Sequence, residues 1–327
     1  MTIRRQRLVS VESCVKSWFE GSLTGPMNPI ISTSRRGFLK GGAKAGAALS
    51  TLSLSSRAAP LEPSGPDIPQ GMRLAIATIC FDGFGPENFE PTFRMLPQTG
   101  FQNVEFNCWY PGTLTPKGLA SIRDRCDAIG VRPISVQGSA FRDGKVQDVS
   151  HKLWCLQAAH TLGCSRVKFT GSKRGTQGGL PAVIDCLREL APAAEEMGIL
   201  VCVENHANNN LETIADYETL FESIDSPNVG LCLDTGHFDG AGVRIPEVIE
   251  RFHARINHVD LKDCASFGTY RTVPFGSGIT DLHGTIVALK EKGYRGYLVV
   301  EQAPPLNPDT LEADMRAAYE RFHPYEG

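Results

Sequence analysis

Four acidic residues each end a short apolar run, and their chemistry is the most informative feature of this sequence. The apolar runs are typical of buried parallel strands. Parallel strands end at the same edge of a sheet, so four carboxylates would crowd together there. Such a group repels itself unless a cation lies between its members. The pattern predicts a divalent-metal site at the ends of Leu200–Glu204, Val229–Asp234, Ile256–Asp260 and Tyr297–Glu301.

The metal class follows from the ligand atoms. Carboxylate oxygens favour hard ions such as Mg or Mn. His206 and His237 lie just beyond two of these strands, in Val-Glu-Asn-His206 and Asp-Thr-Gly-His237, and nitrogen ligands would shift the preference towards Mn or Co. Two other interpretations stay open, in which the acids form salt bridges at strand ends and the histidines are hydrogen-bonded loop residues.

The rest of the chain supplies the elements that must position these acids. Four further strands are predicted at Leu74–Ile79, Asn103–Phe106, Arg132–Gln137 and Arg166–Thr170. Helices are predicted near 86–99, 116–129, 149–162, 180–197, 211–223, 245–253, 282–292 and 310–322. Eight strands that alternate with eight helices predict an α/β protein of the (β/α)8 barrel class, as a single domain over residues 72–327. A doubly wound open sheet is the alternative, but no GxGxxG motif follows a strand.

The period-two alternation of strands predicts which side chains point into the barrel. Val201 and Val203 share the outer face, so Glu204 faces inward with Cys202 and His206. The same alternation places Asp234 inward with Gly230 and Cys232. It places Asp260 inward with His258 and Lys262. The predicted ligands therefore lie on the inner face of their strands.

The N-terminus predicts an export leader. Ser34-Arg-Arg-Gly-Phe-Leu-Lys40 matches a twin-arginine motif, and Ser56-Arg-Ala58 suits a cleavage site. Residues 1–58 are therefore predicted to be a twin-arginine signal peptide, with Met27 as an alternative start, and residues 59–71 a proline-rich linker. We expect the twin-arginine export machinery to be a partner and the protein to be periplasmic or otherwise exported by that route.

Charge and cysteine content narrow the function classes. Residues 1–58 carry nine Lys/Arg and two Asp/Glu, so their removal changes the net charge from −3 to −10. A strongly acidic domain repels phosphate backbones, which argues against nucleic acid as a partner. Nine cysteines remain after the leader, without a CxxC pair, and Cys202 and Cys232 fall in apolar strands. We therefore expect buried thiols rather than disulfides.

The strand-end motifs together resemble those of the xylose isomerase-like barrel superfamily, the sugar phosphate isomerase/epimerase group that also contains endonuclease IV-type nucleases. The resemblance spans roughly residues 73–322. It is carried by Glu204-Asn-His206, Leu233-Asp-Thr-Gly-His237, His258-Val-Asp-Leu-Lys-Asp263 and Val300-Glu301, with the Gly-x-Gly-x-x-Asp-like segment Phe275–Asp281.

The resemblance implies a site and a reaction. It implies one divalent metal (Mn, Mg or Co) held by Glu204, Asp234, Asp260 and Glu301, although the family usually has His where this chain has Asp260, and His258 is the alternative ligand. Glu204 and Glu301 are implied as the acid–base pair of an isomerase or epimerase that acts on a sugar or cyclitol through a metal-stabilised enediolate. The implied substrate-binding residues are His206, His237, His258, Lys168, Glu105 and Trp109. Lys168 could instead form an ion pair with Glu105, and Phe141 could join Trp109 as an apolar wall or lie in the core.

Three function classes remain open on the sequence alone. The first is a metal-dependent isomerase, epimerase or related lyase, such as a dehydratase, for a small carbohydrate. The second is an endonuclease IV-type phosphodiesterase, and the third is an exported sugar-binding protein without turnover. The substrate and the oligomeric state, including a homo-oligomer, also stay open.

Overall fold

The computed structural model describes residues 69–85, 87–142, 145–303 and 307–327. Eight parallel strands form a closed barrel in which each barrel strand pairs with the next barrel strand along the chain, and the last pairs with the first. The predicted (β/α)8 barrel is confirmed. The barrel strands are β1 (Arg73–Ala77), β2 (Asn103–Asn107), β3 (Arg132–Gln137), β4 (Arg166–Thr170), β5 (Leu200–Glu204), β6 (Val229–Asp234), β7 (Ile256–Leu261) and β10 (Tyr297–Val300); β8 (Asp263–Ser266) and β9 (Thr269–Val273) form a separate antiparallel hairpin.

Helices connect the strands and cover the outside of the barrel. They are α1 (Ile79–Asp82), α2 (Glu90–Met95), α3 (Pro116–Ile129), α4 (Lys145–Leu162), α5 (Gly179–Met197), α6 (Ile214–Ser223), α7 (Thr235–Gly240), α8 (Ile245–Phe252), α9 (Leu282–Glu291) and α10 (Leu311–Phe322), with 3-10 turns at Leu96–Gln98, His253–Arg255 and His323–Tyr325. No helix within the described ranges has both the length and the apolar character needed to cross a bilayer.

Local sequence accounts for several helix ends. Helix α3 begins at Pro116, whose fixed φ suits the first helical position, and Thr115 accepts a hydrogen bond from the Gly118 N–H. The helix ends at Gly130, whose φ of 69° suits glycine. Helix α6 begins with a capping box between Thr213 and Asp216.

The main apolar core lies between the strands and the helices rather than inside the barrel. Val201, Val203, Leu231 and Leu233 contribute to this outer layer, as the alternation predicted. Inside the barrel, a small apolar cluster contains Ala75, Ala77, Ile79, Ile134, Tyr297 and Val299. Most of the other buried interior positions carry polar or charged side chains, and this inner polar layer forms the floor of the site.

The first βα unit differs from the prediction. Strand β1 ends at Ala77 rather than Ile79, because the Asn107 side chain accepts hydrogen bonds from the Thr78 hydroxyl and the Ile79 N–H, both at 2.8 Å, and turns the chain. The single helix predicted near 86–99 is instead the shorter α2 followed by the 3-10 turn Leu96–Gln98, and the additional helix α1 precedes it. Residue 86, the predicted start of that helix, lies outside the described residues.

Like α1, helix α7 and the β8–β9 hairpin were not predicted. Helix α7 begins directly after β6, with Asp234 as its N-cap. The β8–β9 hairpin follows β7, and the Asp263 side chain accepts hydrogen bonds from the N–H groups of Gly276, Gly278 and Thr280. Asp263 thereby orders the Phe275–Asp281 segment that contributed to the family resemblance.

The described cysteines and termini bear on two other predictions. Nine cysteines are free and buried, as expected from their apolar context. The twin-arginine motif Ser34–Lys40, the cleavage site Ser56–Ala58 and most of the linker lie outside the described residues. Export and the signal peptide therefore stay predictions.

Helix α4 holds the loop that follows β3. Lys152 Nζ donates to the carbonyls of Ser139 and Ala140 at 2.8 and 3.0 Å, and His151 Nε2 accepts the Ser139 N–H at 3.3 Å. Burial, with Lys152 and Arg142 nearby, lowers the pKa of His151 to about 4. His151 is therefore neutral in the folded protein over a range of pH in which it is protonated in the unfolded chain.

This shift predicts a pH-dependent loss of stability. The pKa of His151 is lower in the fold than its ordinary 6.5, so its contribution to stability is present above pH 6.5 and is lost as the pH falls to about 4. We expect His151→Gln to flatten this part of the pH profile of the free energy of unfolding, measured with urea. His160→Gln, an exposed change on the same helix, should follow the wild-type profile. Parallel profiles for all three proteins would contradict the assignment.

Candidate metal and catalytic centre

Strand register brings the predicted carboxylates to one level of the barrel. Asp234 on β6 is directly paired in register with Asp260 on β7, and Val299, two residues before Glu301, is paired with Asp260. Glu204 ends the neighbouring strand β5. The side chains of Glu204, Asp234, Asp260 and Glu301 are all buried. An uncompensated group of this kind would be strongly destabilising, so the positive groups around it decide its state.

Lys262 is the upper positive group. Its Nζ lies 2.6 Å from Asp234 Oδ2, 2.9 Å from Glu301 Oε1 and 3.2 Å from His237 Nε2. The two carboxylates hold the pKa of Lys262 above its ordinary value despite burial, which alone would lower it. Lys262 therefore presents an ammonium group at the edge of the cavity described below.

The β6–α7 turn positions Lys262. The Thr235 hydroxyl donates to the Lys262 carbonyl at 2.7 Å and accepts the Lys262 N–H at 2.8 Å. A Cβ at position 236 would lie only 2.7 Å from Lys262 Cγ, so Gly236 leaves the space through which this side chain passes. The segment Asp234-Thr-Gly236 thus positions Lys262 in three ways: through the carboxylate of Asp234, the hydroxyl of Thr235 and the space left by Gly236.

Lys168 is the lower positive group, and it is fully buried. Its Nζ lies 2.7 Å from Glu105 Oε1, Asp260 Oδ2 and Glu301 Oε2. His258 Nε2 lies 2.9 Å from Glu105 Oε2, so the pair predicted between Lys168 and Glu105 belongs to a larger network.

The carboxyl groups around the two lysines differ in the direction in which their pKa values are shifted. Burial raises the pKa of Glu301, but Lys168 and Lys262 outweigh it and hold the pKa well below its usual range. The pKa of Glu105 falls to about 2, since Lys168 and His258 outweigh the effect of burial. For Glu204 and Asp260, burial dominates and raises the pKa well above its usual range, despite Lys168.

Glu204 is held from one side by a chain of amides. Gln137 Nε2 donates to Glu204 Oε2 at 3.2 Å, and Asn107 Nδ2 donates to Gln137 Oε1. The other carboxylate oxygen, Oε1, accepts no hydrogen bond from the described residues. Asn205 then joins β5 to β6 by accepting the Asp234 N–H at 2.8 Å and donating to the Asp234 carbonyl at 3.0 Å.

His206 and His237 meet above the carboxylates. Their ring centroids are 4.3 Å apart. Burial and the nearby Lys262 lower the pKa of both histidines. The rings are therefore neutral near pH 7 and can either donate or accept a hydrogen bond.

These groups open into a cavity of about 440 Å³ at the carboxyl ends of the strands. Among the predicted site residues, the cavity is lined by Glu204, His206, His237, Glu301 and Trp109. Lys168, Glu105, His258, Asp260 and Asp234 are not among its lining residues. The first four are buried in the barrel beneath it, in contact with one another, and Asp234 contacts the cavity-lining Lys262.

The structure decides between the two places that the sequence left open for Phe141. Trp109 lines the cavity and stacks on Phe84, with ring centroids 5.6 Å apart. Phe141 is instead buried against Phe169, at 5.9 Å, in the layer between strands and helices. Phe84 and Lys262 are among the lining residues that the sequence interpretation missed, although period-two alternation already placed Lys262 inward.

Several groups of side chains have the geometry to hold a metal. In each group, one ligand atom per residue lies within 4.8 Å of the others, and the groups are Glu204–Asp234–Asp260, Glu105–Asp260–Glu301, Glu204–His206–His237 and Cys232–His258–Asp260. The first group offers three hard oxygen donors, and both Glu204 Oε1 and Asp260 Oδ1 are buried without a hydrogen-bond partner among the described residues. Five carboxyl groups face two ammonium groups, so ionisation of Glu204, Asp234 and Asp260 is left to a further cation to compensate. The group therefore fits a divalent cation.

Solved structures of low sequence identity share the fold. The IOLI protein, solved with a bound zinc atom, superposes with a TM-score of 0.66 at 21% identity and covers 78% of this chain and 98% of its own. A D-allulose 3-epimerase from Methylomonas sp. gives a TM-score of 0.63 at 16% identity, with 81% and 100% coverage.

Curated relatives are closer in sequence. An inosose dehydratase of Yersinia enterocolitica is 33% identical over 274 residues, which covers 70% of this chain and 89% of that protein. An inosose dehydratase of Serratia proteamaculans is 28% identical over 284 residues, with 72% and 93% coverage. The model of the xylose isomerase-like TIM barrel family matches residues 93–321. The chain belongs to this family.

Proposed function

We propose that the protein is a divalent-cation-dependent lyase that removes water from a keto-cyclitol or a closely related keto sugar. The observation that carries the proposal is the position of Glu204, a buried carboxylate with one oxygen that is unpartnered among the described residues, beside the Lys262 ammonium in the same cavity. The inosose dehydratases among its relatives favour dehydration over isomerisation.

Glu204 is the proposed base. Glu204 lines the cavity with one carboxylate oxygen that accepts no hydrogen bond from the described residues, and it can take a proton from the carbon next to a carbonyl group. The same group, once protonated, can return the proton to a leaving hydroxyl or to carbon. The first outcome is dehydration and the second is isomerisation or epimerisation, so both reactions share their first step.

Lys262 is proposed to stabilise the oxygen of the substrate carbonyl, and the two histidines are proposed to bind neighbouring hydroxyls. An ammonium donor placed where negative charge develops lowers the barrier, because it is already oriented by Asp234 and Glu301. Neutral His206 and His237 can hydrogen-bond neighbouring hydroxyls. Glu301, which also lines the cavity, remains the proposed second acid–base group.

The proposed cation site consists of Glu204, Asp234 and Asp260, with Glu301 alongside and held by the two lysines. When bound, a divalent ion would supply Lewis-acid stabilisation of charge on substrate oxygens. We propose that this ion is Mn, Mg or Co. His206 and His237 are the histidines that line the cavity. A nuclease site with about three zincs would need more nitrogen ligands, so the endonuclease IV-type alternative has less support.

Substitution of Glu204 tests the proposal directly. We expect Glu204→Gln to lower kcat for a 2-keto-cyclitol by about 10²- to 10⁴-fold, because the base is lost while the shape is kept. Turnover is measured by mass spectrometry as the loss of one water, and solvent deuterium incorporated without that loss would indicate isomerisation instead. Glu320→Gln, on the exposed side of α10, is the matched control. Ligand binding without loss of water or deuterium exchange in the wild type would instead support a binding protein.

Metal content is a second test of the same proposal. Protein purified without a metal-affinity tag should contain about one Mn, Mg or Co per chain, measured by inductively coupled plasma mass spectrometry. The Glu204→Gln, Asp234→Asn double variant should lose it, since two of three oxygen ligands are weakened. A wild type free of divalent metal would overturn the cation site, and about three zincs per chain would favour the nuclease.

Substitution of Lys262 tests its structural role. Lys262→Met leaves Asp234 and Glu301 without their shared ammonium, and breaking a buried pair in this way costs about 3–5 kcal/mol in the free energy of unfolding. We expect this loss in urea titrations of metal-free protein. Lys292→Met, which breaks the surface pair with Glu250, should change stability little. Equal stability of the two variants would show that the buried ammonium is dispensable.

A further inference from the structure

Lys168 sits in a complete cage of carboxylates. Its partners Glu105, Asp260 and Glu301 come from strands β2, β7 and β10, and each offers an oxygen 2.7 Å from Nζ. Two of these contacts, with Asp260 and Glu301, are hydrogen bonds, and the third, with Glu105, is an ion pair. Because Lys168 is fully buried and does not line the cavity, it is enclosed away from a substrate in that space.

The same three carboxylates have the geometry of a cation site in their own right. Glu105, Asp260 and Glu301 each contribute an oxygen within 4.8 Å of the other two. The arrangement is anchored from outside, since the Ser135 hydroxyl donates to Glu105 Oε2 at 2.6 Å and Lys262 holds Glu301 Oε1 at 2.9 Å. The carboxylates would therefore remain close together if the Lys168 charge were absent.

Asp260 links this cage to the proposed catalytic cation. It belongs to the cage through Oδ2 and to the group with Glu204 and Asp234, while its Oδ1 is fully buried and accepts no hydrogen bond from the described residues. One carboxylate thus lies between two cation positions. A second divalent ion in the cage would compete with Lys168 for the same oxygen.

We propose that Lys168 is a built-in cation that fills a second cation position of the barrel and restricts the protein to one exchangeable divalent ion. The ammonium holds Asp260 at the level of Asp234 without occupying the cavity. Removal of its charge should open a new divalent-metal site formed by Glu105, Asp260 and Glu301. The inference concerns metal stoichiometry and does not depend on which reaction the protein catalyses.

The test compares the wild type with Lys168→Met, which keeps most of the side-chain volume but removes the charge. After removal of metal with a chelator, each protein is titrated with Mn²⁺, and free Mn²⁺ is followed by electron paramagnetic resonance. We expect Lys168→Met to bind one more equivalent than the wild type, and its thermal midpoint to rise more with Mn²⁺. Lys145→Met, which breaks an exposed pair with Glu189, should keep the wild-type stoichiometry.

A second variant assigns the added site to the cage. Glu105→Gln combined with Lys168→Met should lose the extra equivalent, because one of three carboxylates is gone. Folded Lys168→Met with wild-type stoichiometry would overturn the proposal. If Lys168→Met is recovered only as insoluble protein, its soluble yield should be restored by Mn²⁺ in the growth medium, and a yield independent of Mn²⁺ would count against it. If the wild type binds no Mn²⁺, the catalytic cation is refuted; one equivalent bound by Lys168→Met alone would still support the cage site, and none would overturn it.

Discussion

Compensation of buried negative charge is the constraint on which the rest of this centre depends. Five carboxyl groups lie inside the barrel, and Lys168 and Lys262 are the ammonium groups that contact them. An ionised carboxylate in a low-dielectric interior costs several kcal/mol unless paired charges and hydrogen bonds offset that cost. Several features help to pair the buried carboxylates with positive groups. They are the register of β6 with β7, the gap at Gly236 and the link that Asn205 makes between β5 and β6.

Depth inside the barrel separates the cations that hold the structure from the cation that can contact a substrate. Arg166 lies lowest, with Nε bonded to the Asn257 carbonyl at 3.0 Å, and Lys168 lies two residues farther along the same strand. Lys262 is the cation that reaches the cavity wall. A cavity-facing ammonium can respond to a substrate, whereas one enclosed by three carboxylates can only fix their positions. The interior therefore fixes the geometry first and leaves a thin upper layer for chemistry.

Sequence patterns predicted the barrel and the level of its acids, because both follow from period-two alternation and parallel strand ends. They did not predict which ammonium pairs with which carboxylate, since this depends on side-chain reach across strands distant in sequence, such as Lys168 and Glu301. Helix α7 and the β8–β9 hairpin escaped prediction for a related reason. Their formation depends on Asp234 and Asp263 as acceptors of backbone N–H groups, and these contacts leave no periodic signal.

The cavity divides into a floor carried by strands and a wall carried by loops, and this division explains why the reaction class is easier to infer than the substrate. Glu204 ends a strand and Glu301 and Lys262 directly follow one, so all three are fixed by barrel register. Phe84, Trp109 and Ser139 lie on loops after β1, β2 and β3, where replacement does not disturb the barrel. A relative with one third of its residues identical can share the floor and differ in the wall. In the proposed function, the floor held by the strands therefore carries out the proton transfer, and the loops select the cyclitol ring.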